Sequence, residues 1–411
     1  MKKTLLAAAL LAGFAGAASA QSSVTLYGIV DVGLASQTIK PGNNVSTLNQ
    51  RNNTSVASGQ QSGSRWGLKG VEDLGNGLSA NFVFEQGVNV GNGNTGGNGF
   101  DRQSTLGLVS KSWGAIDLGR RVTPGTNAFS GIDPFGTGFG TSSVTSSMGM
   151  AFARYSNMIA YQTPNIGGFV GGIGYSFDTG ANNNNASGTN NGERITGAPD
   201  YTAPSSFGTT YKTRAFGLGL RYGNGPLVVA GTLDIAMPAA YQGTNVYSIN
   251  STGTIANANA TRARTASNVT QWNIGGTYDF KVVKVHAAYG QNIGGIMKGT
   301  GVLGSVTSGG DTNSNGGFLF KNGARTSSWM AGLSAPVGAS GSVFLSWQQM
   351  AAGGSYKQLG NTATQNVGSI GYTYSLSKRT NLYAYYSYMS NAAMSSGTQS
   401  NTLGVGVRHL F

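Results

Sequence analysis

Ala115-Ile-Asp-Leu-Gly-Arg-Arg121 alternates apolar and polar residues, and Arg154-Tyr-Ser-Asn-Met-Ile-Ala-Tyr161 follows as a second strand-like run. Such period-two alternation marks a strand with one apolar face. Between the two runs, residues 122–151 form a Gly/Ser/Thr-rich loop that contains Ile132-Asp-Pro-Phe-Gly136. Pro164 and Gly167-Gly-Phe169 then supply a turn. The loop is expected to fold into the lumen of a β-barrel and narrow it, with the rest of the chain forming the wall.

Composition supports one large barrel. The 411 residues hold 67 Gly, 9 Pro and only 9% charged side chains, against about 25% charged in a soluble domain. Lys2 and Lys3, the apolar run 5–17 and Ala18-Ser19-Ala20 fit an export signal. Residues 1–20 are therefore read as a cleaved signal peptide, and 21–411 as a single domain. Beyond the signal, no apolar run reaches the roughly 18 residues of a membrane-spanning helix. Cysteine is absent, which excludes disulfides, thiolate metal sites and Cys nucleophiles. Of 26 Lys and Arg, two lie in the signal; the remaining 24 against 13 Asp and Glu leave the mature chain near +11. The basic residues are scattered, mostly singly, which favours small anions over nucleic acid as partners.

The alternation recurs along the chain. Val24, Leu26, Val30, Val32 and Leu34 share one parity, as do Phe216, Leu218, Leu220 and Tyr222 against Gly217, Gly219 and Arg221. Leu403, Val405, Val407, His409 and Phe411 share the parity of the final strand. Short turns fall at 73–77, 111–114, 164–168, 223–226, 279–281, 336–341 and 376–380. Long polar stretches fall at 37–63, 87–100, 122–150, 178–210, 237–267, 292–325, 351–363 and 390–399. Long and short alternate strictly. Eight plus seven connections imply about 16 strands with both termini on one side, the even count of a bacterial transmembrane antiparallel β-barrel. The fold class is therefore all-β, with short periplasmic turns, long extracellular loops and the third loop turned inward.

Arg65 and Lys69 lie opposite Trp66 and Leu68 in parity, and Asp117 and Arg121 lie opposite Ile116 and Leu118. A lipid-facing Arg or Lys costs about 2–4 kcal/mol at the bilayer midplane, so these side chains belong in the lumen or at its rim. Arg154 shares parity with Ser156, and Arg102 opens its strand. Arg102 has the parity of Leu106 and Leu108, and so needs a bulge to face inward. Asp133 either faces this basic wall across the lumen or serves as the turn residue before Pro134. Phe135 and Phe139 either anchor the loop to the wall or pack it against itself. Phe411 is expected in the interfacial aromatic girdle. His286 and His409 are the two histidines, and neither sits in a hydrolase or metalloprotease motif. No enzyme, cofactor or metal is expected.

Six motifs, in order along the chain, carry a family resemblance: Ser23-Val-Thr-Leu-Tyr-Gly28, Ser64-Arg-Trp-Gly-Leu-Lys-Gly-Val-Glu-Asp-Leu-Gly-Asn-Gly-Leu78, Asp117-Leu-Gly-Arg120, Pro134-Phe-Gly136, Arg154 with Asn157 and Tyr161, and Arg408-His-Leu-Phe411. The chain resembles the general porins of beta-proteobacterial type. The resemblance implies a 16-stranded outer-membrane barrel, a homotrimer set in lipid and lipopolysaccharide, and passive diffusion of small hydrophilic solutes. It also implies Arg65, Arg102 and Arg154 as a constriction cluster, and Phe411 as a signal read by the barrel-assembly machinery. The scarcity of acids in the loop agrees with a weak preference for anions. A substrate-specific channel and a surface adhesin or receptor acting through the long loops are the alternatives.

Overall fold

The computed structural model describes residues 23–42, 51–95, 99–148, 154–179, 213–237, 246–249, 255–258, 267–297, 318–355, 357 and 362–411. Residues 1–20, read above as an export signal, lie outside these, as do the last residues of the inward loop and much of the long loops.

The strands are β1 (Ser23–Lys40), β2 (Arg51–Ser58), β3 (Arg65–Gly75), β4 (Leu78–Gly87), β5 (Gln103–Ser110), β6 (Gly114–Val122), β7 (Arg154–Gln162), β8 (Phe169–Ser176), β9 (Arg214–Asn224) and β10 (Leu227–Met237). A separate hairpin, β11 (Val246–Ile249) and β12 (Ile255–Ala258), lies in the connection to β13 (Val269–Asp279). There follow β14 (Lys284–Met297), β15 (Phe318–Val337), β16 (Gly341–Gly354), β17 (Gln365–Ser375), β18 (Thr380–Ser390) and β19 (Gln399–Leu410).

Each barrel strand pairs antiparallel with its neighbours, and β1 pairs with β19 from Ile29↔Leu410 to Lys40↔Gln399, which closes the sheet. Closure leaves no open edge, a requirement for backbone amides in lipid. β2 and β3 lie end to end along β1, β2 against its second half and β3 against its first. They form one interrupted stave, so the barrel has 16. The stretch 37–63, read as one loop, instead carries the end of β1 and all of β2. Its Thr, Ser and Asn residues pair as strands because the ladder satisfies their backbone whatever the side chains face.

The outer face is apolar, as the alternation requires. Val24, Leu26, Leu34, Leu106, Leu118, Ile159, Leu220, Trp347, Ile370 and Leu403 are all exposed. Among the described residues no helix is long and apolar enough to cross a membrane; the crossings are made by strands. Near the short turns, Phe169 packs at a tilt on Tyr222 (4.4 Å between ring centres) and Tyr278 on Phe280 (4.6 Å). Phe411 lies exposed at the same end as these rings.

Candidate functional site

The chain between β6 and β7 turns into the barrel. Thr123 caps a short helix, Pro124–Phe129, by accepting from the Thr126 N–H at 3.1 Å, and Pro124 stands in the first turn, where its missing N–H costs nothing. This helix packs on β8, β9 and β10. The approach is close: a Cβ on Gly219 would lie 2.3 Å from the Pro124 carbonyl oxygen. The Gly-rich inner faces of β8 and β9 are therefore the seat of the loop.

Beyond the helix, Phe129, Ile132, Val144 and Met148 bury themselves against Ala230, Ala288 and Met330. Phe135 and Phe139 pack with Tyr383 and Tyr385, beside Phe344. Each such side chain contributes about 1.5–3 kcal/mol by burial, so the phenylalanines anchor the loop to the wall. Wall side chains also take up its free carbonyls. Gln348 donates to Ser142 O, Gln365 to Ser146 O and Ser328 to Ser147 O, each at 2.7 Å. Gln271 donates to Met148 O at 2.6 Å, and His286 Nδ1 lies 2.9 Å from Ile132 O. The loop thus lies along the arc from β8 through β18.

Asp133 does not face a basic wall. It is 3% exposed, and its carboxylate accepts from the N–H groups of Phe135 (2.9 Å), Thr137 (3.0 Å) and Val144 (3.0 Å). Burial pushes its pKa up to about 6, against the pull of those donors. The turn reading of this residue is the one realised, and its carboxylate ties two arms of the loop together. A lumen-facing acid at this position is excluded because both oxygens are engaged.

The basic residues singled out in the sequence occupy the other arc. Arg102 Nε lies 2.7 Å from Glu85 Oε1, Arg65 Nε 3.8 Å from Glu85 Oε2, and the Tyr27 hydroxyl donates to Glu85 Oε2 at 3.1 Å. Arg120 donates to Asp101 O at 2.5 Å and to Ser156 Oγ at 2.9 Å. Arg154 feels Arg102, Arg120 and Arg65 as like charges and Glu85 as the opposite one. Arg65, Arg102 and Arg154 are therefore brought together, with Arg120 as a fourth guanidinium. Arg102 meets Glu85 because it precedes β5 and escapes that strand's alternation. Arg120 has outward parity, but the register shifts between Gly119 and Arg121, with Gly119 at φ +126°. A glycine before Arg-Arg was the only sequence sign of it.

Lys69 lies apart, over the Tyr27 ring at 5.3 Å. Arg121 is ion-paired with Asp117.

Residues 59–64, between β2 and β3, also enter the barrel, a feature the sequence reading missed. Asp31 on β1 is fully buried and holds them: it accepts from Ser62 N–H at 2.6 Å and from the Tyr383 hydroxyl at 2.5 Å. Gln60 O accepts from Phe139 N–H at 2.5 Å, and Asn381 donates to Gln61 Oε1 at 2.8 Å. On the other side, a Cβ on Gly63 would lie 2.9 Å from Arg102 Nη1. This segment therefore bridges the tip of the loop to the arginine cluster.

Residues 7–393 match the family model described as Gram-negative porin. The chain is 43% identical over 422 residues to an outer membrane porin protein of Bordetella pertussis, and 30% identical over 438 residues to outer membrane porin protein 32 of Delftia acidovorans; each alignment covers 100% of both chains. Among solved structures, the anion-selective porin from Comamonas acidovorans superposes with a TM-score of 0.65 at 25% identity, covering 95% of this chain and 100% of that one. OmpF of Salmonella typhi shares the fold, with a TM-score of 0.60 at 16% identity. With the closed barrel, the apolar outer face and the inward loop, these likenesses make the chain a member of the Gram-negative porin family, an outer-membrane pore.

Proposed function

We propose that this porin is a general diffusion channel for small hydrophilic solutes with a weak preference for anions, set where the arginine cluster faces the inward loop. The observation that carries the reading is the balance of charge there. Arg65, Arg102, Arg120 and Arg154 stand against Glu85 and Asp101, and the loop's Asp133 is sequestered. The Arg154 guanidinium makes no ion pair among the described residues. In a narrow, partly desolvated passage, an excess of guanidinium charge favours anions. The channel is read as a homotrimer embedded in lipid and lipopolysaccharide, inserted by the barrel-assembly machinery through the strand that ends at Phe411. It performs no catalysis.

The test is the reversal potential in planar bilayers across a KCl gradient, for the wild type and for Arg154→Ala. The reading expects chloride preference that falls in the variant. Cation preference, or a reversal potential unmoved by the substitution, would sink the basic-constriction reading and leave the porin fold standing.

A further inference from the structure

Near the short-turn ends of β7, β8 and β9, beneath the helix Pro124–Phe129, lies a cavity of about 320 Å³. This is the small end of the roughly 300–1,000 Å³ range of ligand pockets. Two arginines from different strands converge on it, Arg121 from β6 and Arg221 from β9. Arg121 is already paired with Asp117, yet its buried Nε–H has no acceptor. Arg221 has no ion pair among the described residues. The pair therefore carries one uncompensated positive charge and an unsatisfied buried donor. Asn127 adds an amide, while Pro124, Ala128 and Val170 make an apolar face.

We propose that this cavity binds a small organic carboxylate on the short-turn side of the inward loop. The carboxylate sits between Arg121 and Arg221, a pairing whose geometry guanidinium forks favour, and the hydrocarbon part lies on Pro124, Ala128 and Val170. A doubly charged inorganic oxyanion gains nothing from that apolar face and exceeds the single free charge. A neutral solute leaves the Arg121 Nε–H and Arg221 unsatisfied. The inference rests on the porin reading only in taking the lumen as water-filled; it does not need the arginine cluster to set selectivity.

The experiment records KCl current through the purified wild-type channel in planar bilayers, with benzoate, benzamide or sulfate added on the short-turn side. Benzoate is expected to interrupt the current saturably, with little effect of benzamide or sulfate at equal concentration. Arg221→Gln should raise the half-blocking benzoate concentration at least tenfold, and Asn127→Ala, an exposed position on the helix, should raise it a few-fold. Heat-modifiable electrophoretic mobility reports that each variant is folded. Equal block by benzamide, sulfate as effective as benzoate, or folded Arg221→Gln with an unchanged half-block would each overturn the proposal. Reversal potentials from the same bilayers read ion preference separately. A cation-preferring channel still blocked by benzoate would refute the basic-constriction reading and leave this one intact.

Discussion

Replacing Asp133 by Ala sets two effects against each other. The substitution strips the acceptor from three N–H groups, those of Phe135, Thr137 and Val144. A buried donor left unsatisfied costs about 1–3 kcal/mol, so three amount to about 3–9. Against this, the variant no longer buries a carboxylate. The rise from 3.8 to about 6 measures that burden: about 2 units at 1.36 kcal/mol each, or about 3 kcal/mol at neutral pH. The lost donors win, by roughly 0–6 kcal/mol on these figures. The loop stays on the wall, because Gln348, Gln365, Ser328 and Gln271 hold its second half independently. The expected result is a barrel of native heat resistance whose single-channel open level is noisier than that of the wild type. Wild-type noise in folded Asp133→Ala would refute the idea that this carboxylate braces the loop.

The same carboxylate gives a pH dependence of defined sign. A raised folded-state pKa means that the docked loop binds the proton more tightly than the released one, so docking is tightest below about pH 4 and loses about 3 kcal/mol as pH rises through about 6. Open-level noise of the wild type should therefore fall on acidification from pH 7 to pH 4, and Asp133→Ala should lack that slope; noise that rises over this interval would contradict it. Tyr383→Phe removes the hydroxyl that donates to buried Asp31. A hydrogen bond to a charged group is worth about 1.5–3 kcal/mol, so the thermal midpoint of the gel-mobility shift should fall. Gly28→Val would bring a Cβ within 2.3 Å of the Phe411 ring and 2.7 Å of the Arg65 carbonyl oxygen. Overpacking of this kind costs about 1–3 kcal/mol, read as a lower midpoint and a lower refolding yield in detergent.

The wall was legible because lipid imposes a rule that every strand obeys. Leu403, Val405 and Val407 turn out, while Arg408 turns in, for the reason the alternation suggested. The turns were legible because long and short connections differ in length and composition. Three kinds of feature were hidden. Bulges break the parity rule, so Arg120 could not be placed, and Arg102 stood outside the strand whose alternation was used to judge it. Side chains that satisfy a distant backbone carry no local signature, so nothing in the sequence set Gln271, Gln348 and Gln365 apart. Acid function depends on direction: Asp133 before Pro134 could as well have pointed across the lumen as back onto its own loop, and only the three N–H donors decide between them.

Asp31 and Tyr383 stand 352 positions apart in the chain and on different staves, yet one hydrogen bond joins them across β19. That contact cannot exist until the last strand has met the first. Residues 59–64 take their place on Asp31, and the loop tip at Phe139 rests in turn on Gln60. The bore is thus finished by the act that seals the cylinder. Contacts of such long range form late in folding, so a chain stalled before its final hairpin would hold an unfinished aperture as well as an open seam.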